Sequence, residues 1–181
     1  MPTSIVIVET SIFGKSSIPS YVQRINKFFI ITDWLRSQNS WLLEKGRCLY
    51  LPILPPSHPR NVRERYGISA SELVVGRISR PGLDNAEEVF QIFKKIKTPC
   101  RLLVLGGAGV LENEAKKDNR IICLPATTDE DAMSNFYNTL DVLLHYRREG
   151  ETFGMSIADS MIHGKPVVSH RSFKDNAQAE L

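Results

Sequence analysis

Residues that build redox or metal centres are scarce in this chain, with three cysteines and four histidines among 181 residues. Cys48, Cys100 and Cys123 are scattered, and each lies beside or within an apolar run. They read as small core residues in a reducing compartment, not as a disulfide framework. No Cys or His pair has the spacing of a zinc site, so no metal is expected. Long apolar runs are lacking too, and none approaches the ~20 residues that cross a bilayer. The opening Met-Pro-Thr-Ser-Ile-Val-Ile-Val-Glu has neither a basic leader nor a long apolar stretch. No signal peptide is therefore expected, and the expected location is cytoplasmic. There is no Gly-x-Ser-x-Gly elbow, no Walker lysine and no Gly-x-Gly-x-x-Gly fingerprint, which argues against a serine hydrolase, a P-loop enzyme and a nicotinamide oxidoreductase.

A large excess of charge of one sign is also lacking. The formal net charge is +3 and the pI is near 8.8, which suits phosphorylated ligands or an anionic membrane surface. No Lys/Arg tract interleaved with aromatics supports nucleic-acid binding. With 42% hydrophobic and 24% charged residues, the chain has the composition of a globular protein with a sizeable core.

What is present is an alternation of short apolar runs with helix-like segments. Strands are predicted at 5–8, 28–32, 48–51, 73–78, 101–105, 120–124, 141–145 and 166–169. Helices are predicted at 18–26, 34–45 with Asp33 as cap, 60–66, 86–96, after a Thr127 or Thr128 cap, and from Gly154. Pro52-Ile-Leu-Pro-Pro-Ser-His-Pro59 holds four prolines in eight residues and fits neither a helix nor a central strand. It reads as a linker, 52–59, between a first α/β unit, 1–51, and a second, 60–181. Short strands alternating with helices predict a Rossmann-like parallel sheet with helices on both faces. Ligands of such sheets bind at the carboxyl ends of the strands.

The most informative stretch runs from Glu151 to Val168: Glu-Thr-Phe-Gly-Met-Ser-Ile-Ala-Asp-Ser-Met-Ile-His-Gly-Lys-Pro-Val-Val. The first amides of a helix starting near Gly154 have no partner within the helix, and the dipole adds positive charge. Phe153, Gly154, Met155 and Ser156 can therefore cradle a diphosphate through main-chain atoms. Glu151, just before that turn, would repel a phosphate and is better suited to sugar hydroxyls. Asp159, more than a helical turn further on, can take a second hydroxyl pair such as a ribose diol. The alternative is structural: Glu151 favours the helix dipole, and Asp159 lies on a solvated face with Ser156 and Ser160. Arg77, at the end of the predicted strand 73–78, and Arg80, just past it, can neutralise a diphosphate, or they are solvated. Gly106 and Gly107 form a turn after a strand, and Leu124 and Pro125 end a strand where a base can meet the backbone. His145 ends a strand near the motif and is a further candidate for ligand contact.

Together these elements resemble the retaining glycosyltransferases of the GT-B fold, the group 1 glycosyltransferases. The resemblance rests on Val75-Gly-Arg77, Leu105-Gly-Gly107, Asp141-Val-Leu-Leu144 and Glu151-Thr-Phe-Gly…Asp159…Gly164-Lys-Pro-Val-Val168, in order, across roughly residues 70–170. It implies a donor-binding domain that takes a UDP- or GDP-sugar and needs no metal or other cofactor. Glu151 would hold the sugar near its anomeric carbon, Asp159 the ribose hydroxyls, and Arg77 the leaving diphosphate. Two departures stand out. Asp159 replaces the family's usual Glu, and uncharged Asn85, or a residue near it, falls where the family carries a Lys, with Arg80 as the substitute. The resemblance also implies that 1–51 is the end of an acceptor-side domain and that the fold is incomplete. The acceptor is then an unspecified glycan, lipid or protein, and apolar surface left uncovered predicts self-association or a partner chain. The rival reading is a non-catalytic nucleotide-sugar-binding module or partner-dependent subunit.

Overall fold

The structure, a computed structural model, describes residues 8–12, 20–38, 46–56, 58–78, 85–107 and 109–181. The chain divides into two compact units. The first comprises Met1–Pro52, Glu149–Gly154 and Arg171–Leu181, and the second Ile53–Arg148 and Met155–His170.

In the first unit, β1 (Val8–Ser11), β2 (Lys27–Ile30) and β3 (Gly46–Cys48) form a parallel sheet in that order. Phe28 and Ile30 are fully buried, as the alternation of a half-covered strand requires. Helix α1 (Asp33–Ser37) follows β2. Its cap is Thr32, not Asp33: the Thr32 hydroxyl accepts from Leu35 N at 3.2 Å. Asp33 is instead the first helical residue. Much of the predicted 34–45 helix and all of the predicted strand 5–8 except Val8 lie outside the described residues. Where 18–26 was expected to be helical, the described part holds one 3-10 turn, Val22–Arg24.

The second unit contains β4 (Leu73–Ile78), α2 (Ala86–Lys94), β5 (Cys100–Leu105), α3 (Val110–Ala115), β6 (Ile121–Leu124), α4 (Glu130–Thr139), β7 (Val142–Leu144), α5 (Met155–Ile162) and β8 (Val167–Val168). All strand pairs are parallel, in the order β6-β5-β4-β7-β8. Alternate residues of β5 feed opposite cores. Leu102 and Val104 pack with Val89 and Phe93 of α2 and Leu111 of α3. Leu103 and Leu105 pack with Phe136, Tyr137 and Leu140 of and beside α4. This is why β5 is a near-continuous apolar run: both faces of the sheet are covered. Cys100 lies in the first of these cores, where burial pushes its thiol pKa up.

Residues 52–56 and 58–59 carry no regular structure, as the proline density requires. The cap of α4 is Asp129, whose carboxylate accepts from Ala132 N at 2.7 Å. Thr127 stands two residues earlier, its hydroxyl accepting from Asp129 N at 3.0 Å. Asp141 opens β7 as a clasp, its Oδ2 accepting from Arg63 Nη2 at 2.6 Å and Val74 N at 2.7 Å.

Candidate functional site

In the second unit, chain order and strand order reverse between β4 and β7, because β5 lies on one side of β4 and β7 on the other. Crossover connections leave in opposite directions there and open a crevice at the carboxyl ends of the two strands. Arg77 sits at that end of β4, next to Gly76, which pairs with Leu143 of β7. Arg77 is the fifth residue of β4, and its side chain is buried at 4% exposure rather than solvated. Gly76 serves close packing, since a Cβ there would fall 2.1 Å from Leu140 Cδ1. Arg80, with the rest of 79–84, lies outside the described residues. Asn85 Oδ1 accepts from Arg148 N at 2.9 Å, so this side chain ties two segments together.

Gly106 N donates to Leu124 O at 3.0 Å, joining the ends of β5 and β6. One lone pair of the Leu124 carbonyl is thereby used, and Pro125 has no N–H to offer. Gly107 follows directly, its missing Cβ leaving room for Val104 Cγ1. His145 is buried after β7, with Nδ1 3.4 Å from Ser169 Oγ.

Met155 and Ser156 begin α5, the former exposed and the latter half-buried. Asp159 is half-buried on the same helix rather than on a solvated face. The Tyr137 hydroxyl lies 3.4 Å from its Oδ2. Burial raises the Asp159 pKa, while the Tyr137 hydrogen bond and the charge of His163 oppose the rise. Burial, reinforced by the Asp159 carboxylate, pushes the Tyr137 hydroxyl well above the ordinary phenol range. Sequence reasoning does not single out Tyr137 and Ser134, and it reads His163 as structural or surface. Their one signal is helical spacing, Ser134 with Tyr137 and Asp159 with His163, which apolar periodicity does not distinguish from core packing.

Glu151, Phe153 and Gly154 belong to the first unit. Glu151 donates from its main-chain N to Gln178 Oε1 at 3.0 Å and accepts at its carbonyl from Ala177 N at 3.1 Å. Thr152 O accepts from the Thr32 hydroxyl at 3.1 Å, and the buried Phe153 ring lies 6.5 Å from that of Tyr50. Gly150 takes φ +77°, and a Cβ there would meet Asp175 O at 1.6 Å, so only glycine fits. Gly154 has φ +103° ahead of α5. The acid of the motif is thus held by a loop whose backbone is fixed on both sides.

One group of ligand-type atoms occurs among the described residues. Asp33, Cys48 and Glu180 each bring one within 4.8 Å of the others. Glu180 is already engaged, accepting from Asp33 N at 2.8 Å, from Trp34 N at 2.6 Å and from the Tyr50 hydroxyl. The Tyr50 hydroxyl is raised in pKa chiefly by donating to that carboxylate.

A doubly wound parallel sheet with a buried arginine at its switch point, and with the half-buried Asp159 on α5, defines an α/β domain of the Rossmann-like class. The chain belongs to the group 1 glycosyl transferases, whose pattern matches residues 71–179. Comparison with curated proteins gives no match. Among solved structures it is similar to a glycosyltransferase from Rickettsia africae ESF-5, with TM-score 0.71 and 16% identity over 94% of this chain and 52% of that one. Anabaena HepE, solved in complex with UDP and glucose, gives TM-score 0.67 and 19% identity over 86% and 46%. WaaG, a glycosyltransferase involved in lipopolysaccharide biosynthesis, gives 0.64 and 16% over 90% and 55%. The chain spans about half the length of these structures. The likeness is one of fold, the Rossmann-like parallel-sheet architecture of GT-B glycosyltransferases.

Proposed function

We propose that the chain is the donor-binding portion of a retaining, metal-independent hexosyltransferase that uses a UDP- or GDP-sugar. The observation that carries the reading is Arg77, a buried guanidinium at the carboxyl end of β4 beside the switch point, in a chain of this family. A fixed cation there can neutralise charge as it develops on a departing diphosphate, the task a divalent ion performs elsewhere. The main-chain amides of Phe153, Gly154, Met155 and Ser156 are assigned to the same diphosphate, and Gly106, Gly107, Leu124 and Pro125 to the nucleoside. Asp159 takes the ribose diol and Glu151 the sugar hydroxyls near the anomeric carbon. In the reaction, the bond from the anomeric carbon to the phosphate oxygen breaks. The acceptor oxygen bonds to the same face, and its proton passes to the leaving phosphate. The domain organisation 1–51, 52–59 and 60–181 belongs to this proposal. So does a cytoplasmic setting at a membrane surface, supported by the net charge of +3 and by WaaG's part in lipopolysaccharide biosynthesis.

The second reading, a nucleotide-sugar-binding module without turnover, is favoured by Asn85, which is uncharged and already bonded to Arg148 N. Calorimetric titration with UDP, GDP, UDP-glucose and GDP-mannose, in EDTA and then in magnesium, tests the donor site. Binding of one nucleotide is expected, unchanged by EDTA. Arg77→Ala should weaken it by about 10- to 100-fold, the loss of one charge-assisted hydrogen-bonding partner. Binding that requires magnesium, or that Arg77→Ala leaves intact, contradicts the proposal. Glu151→Ala separates the two readings: an enzyme loses turnover far more than donor affinity, a binding module only affinity.

A further inference from the structure

We infer that Tyr137 is a positioning residue that aims the Asp159 carboxylate, and through it sets how well the site tells a ribonucleotide from its 2′-deoxy form. The inference rests on the reading of Asp159 as the acceptor of the ribose diol. All the residues concerned lie in the second unit, on α4, on α5 and, for His163, directly after α5.

Tyr137 is 1% exposed, and its ring is held on two sides. Phe136 meets it edge-on, centroids 5.5 Å apart at 72°, and His163 stacks on it at 5.2 Å and 28°. A ring so clamped cannot swing, so its one polar atom has a fixed place. That atom lies 3.4 Å from Asp159 Oδ2. The carboxylate only accepts, so the phenol donates. The distance is long for an O–H···O bond, and the contact therefore orients the carboxylate more than it binds it.

His163 fixes the other end of the arrangement. Its Nδ1 is 2.6 Å from the Asp159 main-chain O, and its Nε2 is 2.9 Å from Ser134 Oγ. A carbonyl cannot donate, so Nδ1 carries a proton, and in the neutral ring Nε2 accepts from the Ser134 hydroxyl. α4 and α5 are thereby pinned to each other at the level of Asp159. With only two side-chain torsions and Oδ2 turned toward the phenol, Asp159 keeps Oδ1 for a ligand hydroxyl. A carboxylate aimed in advance loses little entropy on binding a diol, whereas a free one has to be ordered by the ligand.

The test is calorimetry of UDP against 2′-deoxy-UDP, and of GDP against 2′-deoxy-GDP, on wild type, Tyr137→Phe and Asp159→Ala. It is paired with carbon-13 NMR titration of the Asp159 carboxyl. Wild type should favour the ribonucleotide by about tenfold, as one hydrogen bond to a charged group provides. Tyr137→Phe should lose most of that preference while keeping its deoxynucleotide affinity, and the Asp159 titration should move to higher pH as a donor to the carboxylate is lost. A Tyr137→Phe protein that keeps the preference, with Asp159 titrating as before, overturns the inference and leaves the donor-site reading standing, provided Asp159→Ala loses the preference. A wild type without any preference, or binding neither nucleotide, overturns the assignment of Asp159 and the inference with it. If Tyr137→Phe does not fold, the Tyr137 Cζ resonance decides: Asp159→Ala should shift it, and an unmoved Cζ overturns the contact.

Discussion

Asp159, proposed to take the ribose diol, is placed at a cost in stability. Its carboxyl is half-buried, and burial raises its pKa against the opposing influence of the Tyr137 hydroxyl and His163. A carboxyl whose folded pKa lies above its unfolded value adds most to stability below the unfolded value of about 3.9, and that contribution is lost as pH rises through the folded pKa. Asparagine has no proton to lose. Urea unfolding of wild type and Asp159→Asn should therefore show the variant gaining relative to wild type between pH 3.5 and pH 7. A difference that stays flat across that range would show that Asp159 is not disfavoured as an anion. The same residue illustrates what was legible. Glu151 and Asp159 could be picked out by spacing, but their surroundings could not. That Glu151 lies in a loop fixed to Gln178, Ala177 and Asp175 depends on contacts between segments more than 20 residues apart.

Among the elements, the junction of β4 with the end of α4 explains a glycine in the middle of a strand. Gly76 is the fourth residue of β4, and Leu140 fills the space where its side chain would stand. Gly76→Ala should destabilise the protein by about 1–3 kcal/mol through overpacking. A smaller partner should relieve it, so that the double variant Gly76→Ala/Leu140→Val loses less than the sum of the two single changes. Chemical denaturation of the four proteins measures this, and strict additivity would show that the strain is taken up elsewhere. Strands β4, β5 and β6 were legible to within a residue because a run buried on both faces is apolar throughout. Caps were less so: both Asp33 and the Thr127–Thr128 pair are good capping residues by type, and only hydrogen-bond geometry selects Thr32 and Asp129.

At the scale of the whole molecule, apolar side chains remain uncovered. Leu54 and Phe173 are 78% and 77% exposed, and Val168 on the edge strand β8 is 54% exposed. β8 is too short to template another strand, so it is the exposed apolar side chains, Val168 among them, that favour contact with another chain. Sedimentation velocity across a hundredfold range of concentration (about 1 to 100 µM) should show self-association, reduced by Val168→Lys. A monomer at every concentration would mean that this surface is tolerated in water.

The order of apolar runs and glycine breaks by itself determined the parallel α/β class and the strands of the second unit, because burial on both faces of a sheet leaves a signal within each short segment, while the family was legible only as a resemblance carried by ordered motifs. Only the tertiary structure decided that Arg77 is buried inside β4, that Asn85 is bonded to Arg148 N, and that Tyr137 reaches Asp159. Each of these depends on which distant segment packs alongside. The free energy of that packing is shared among many residues, and no local pattern records it.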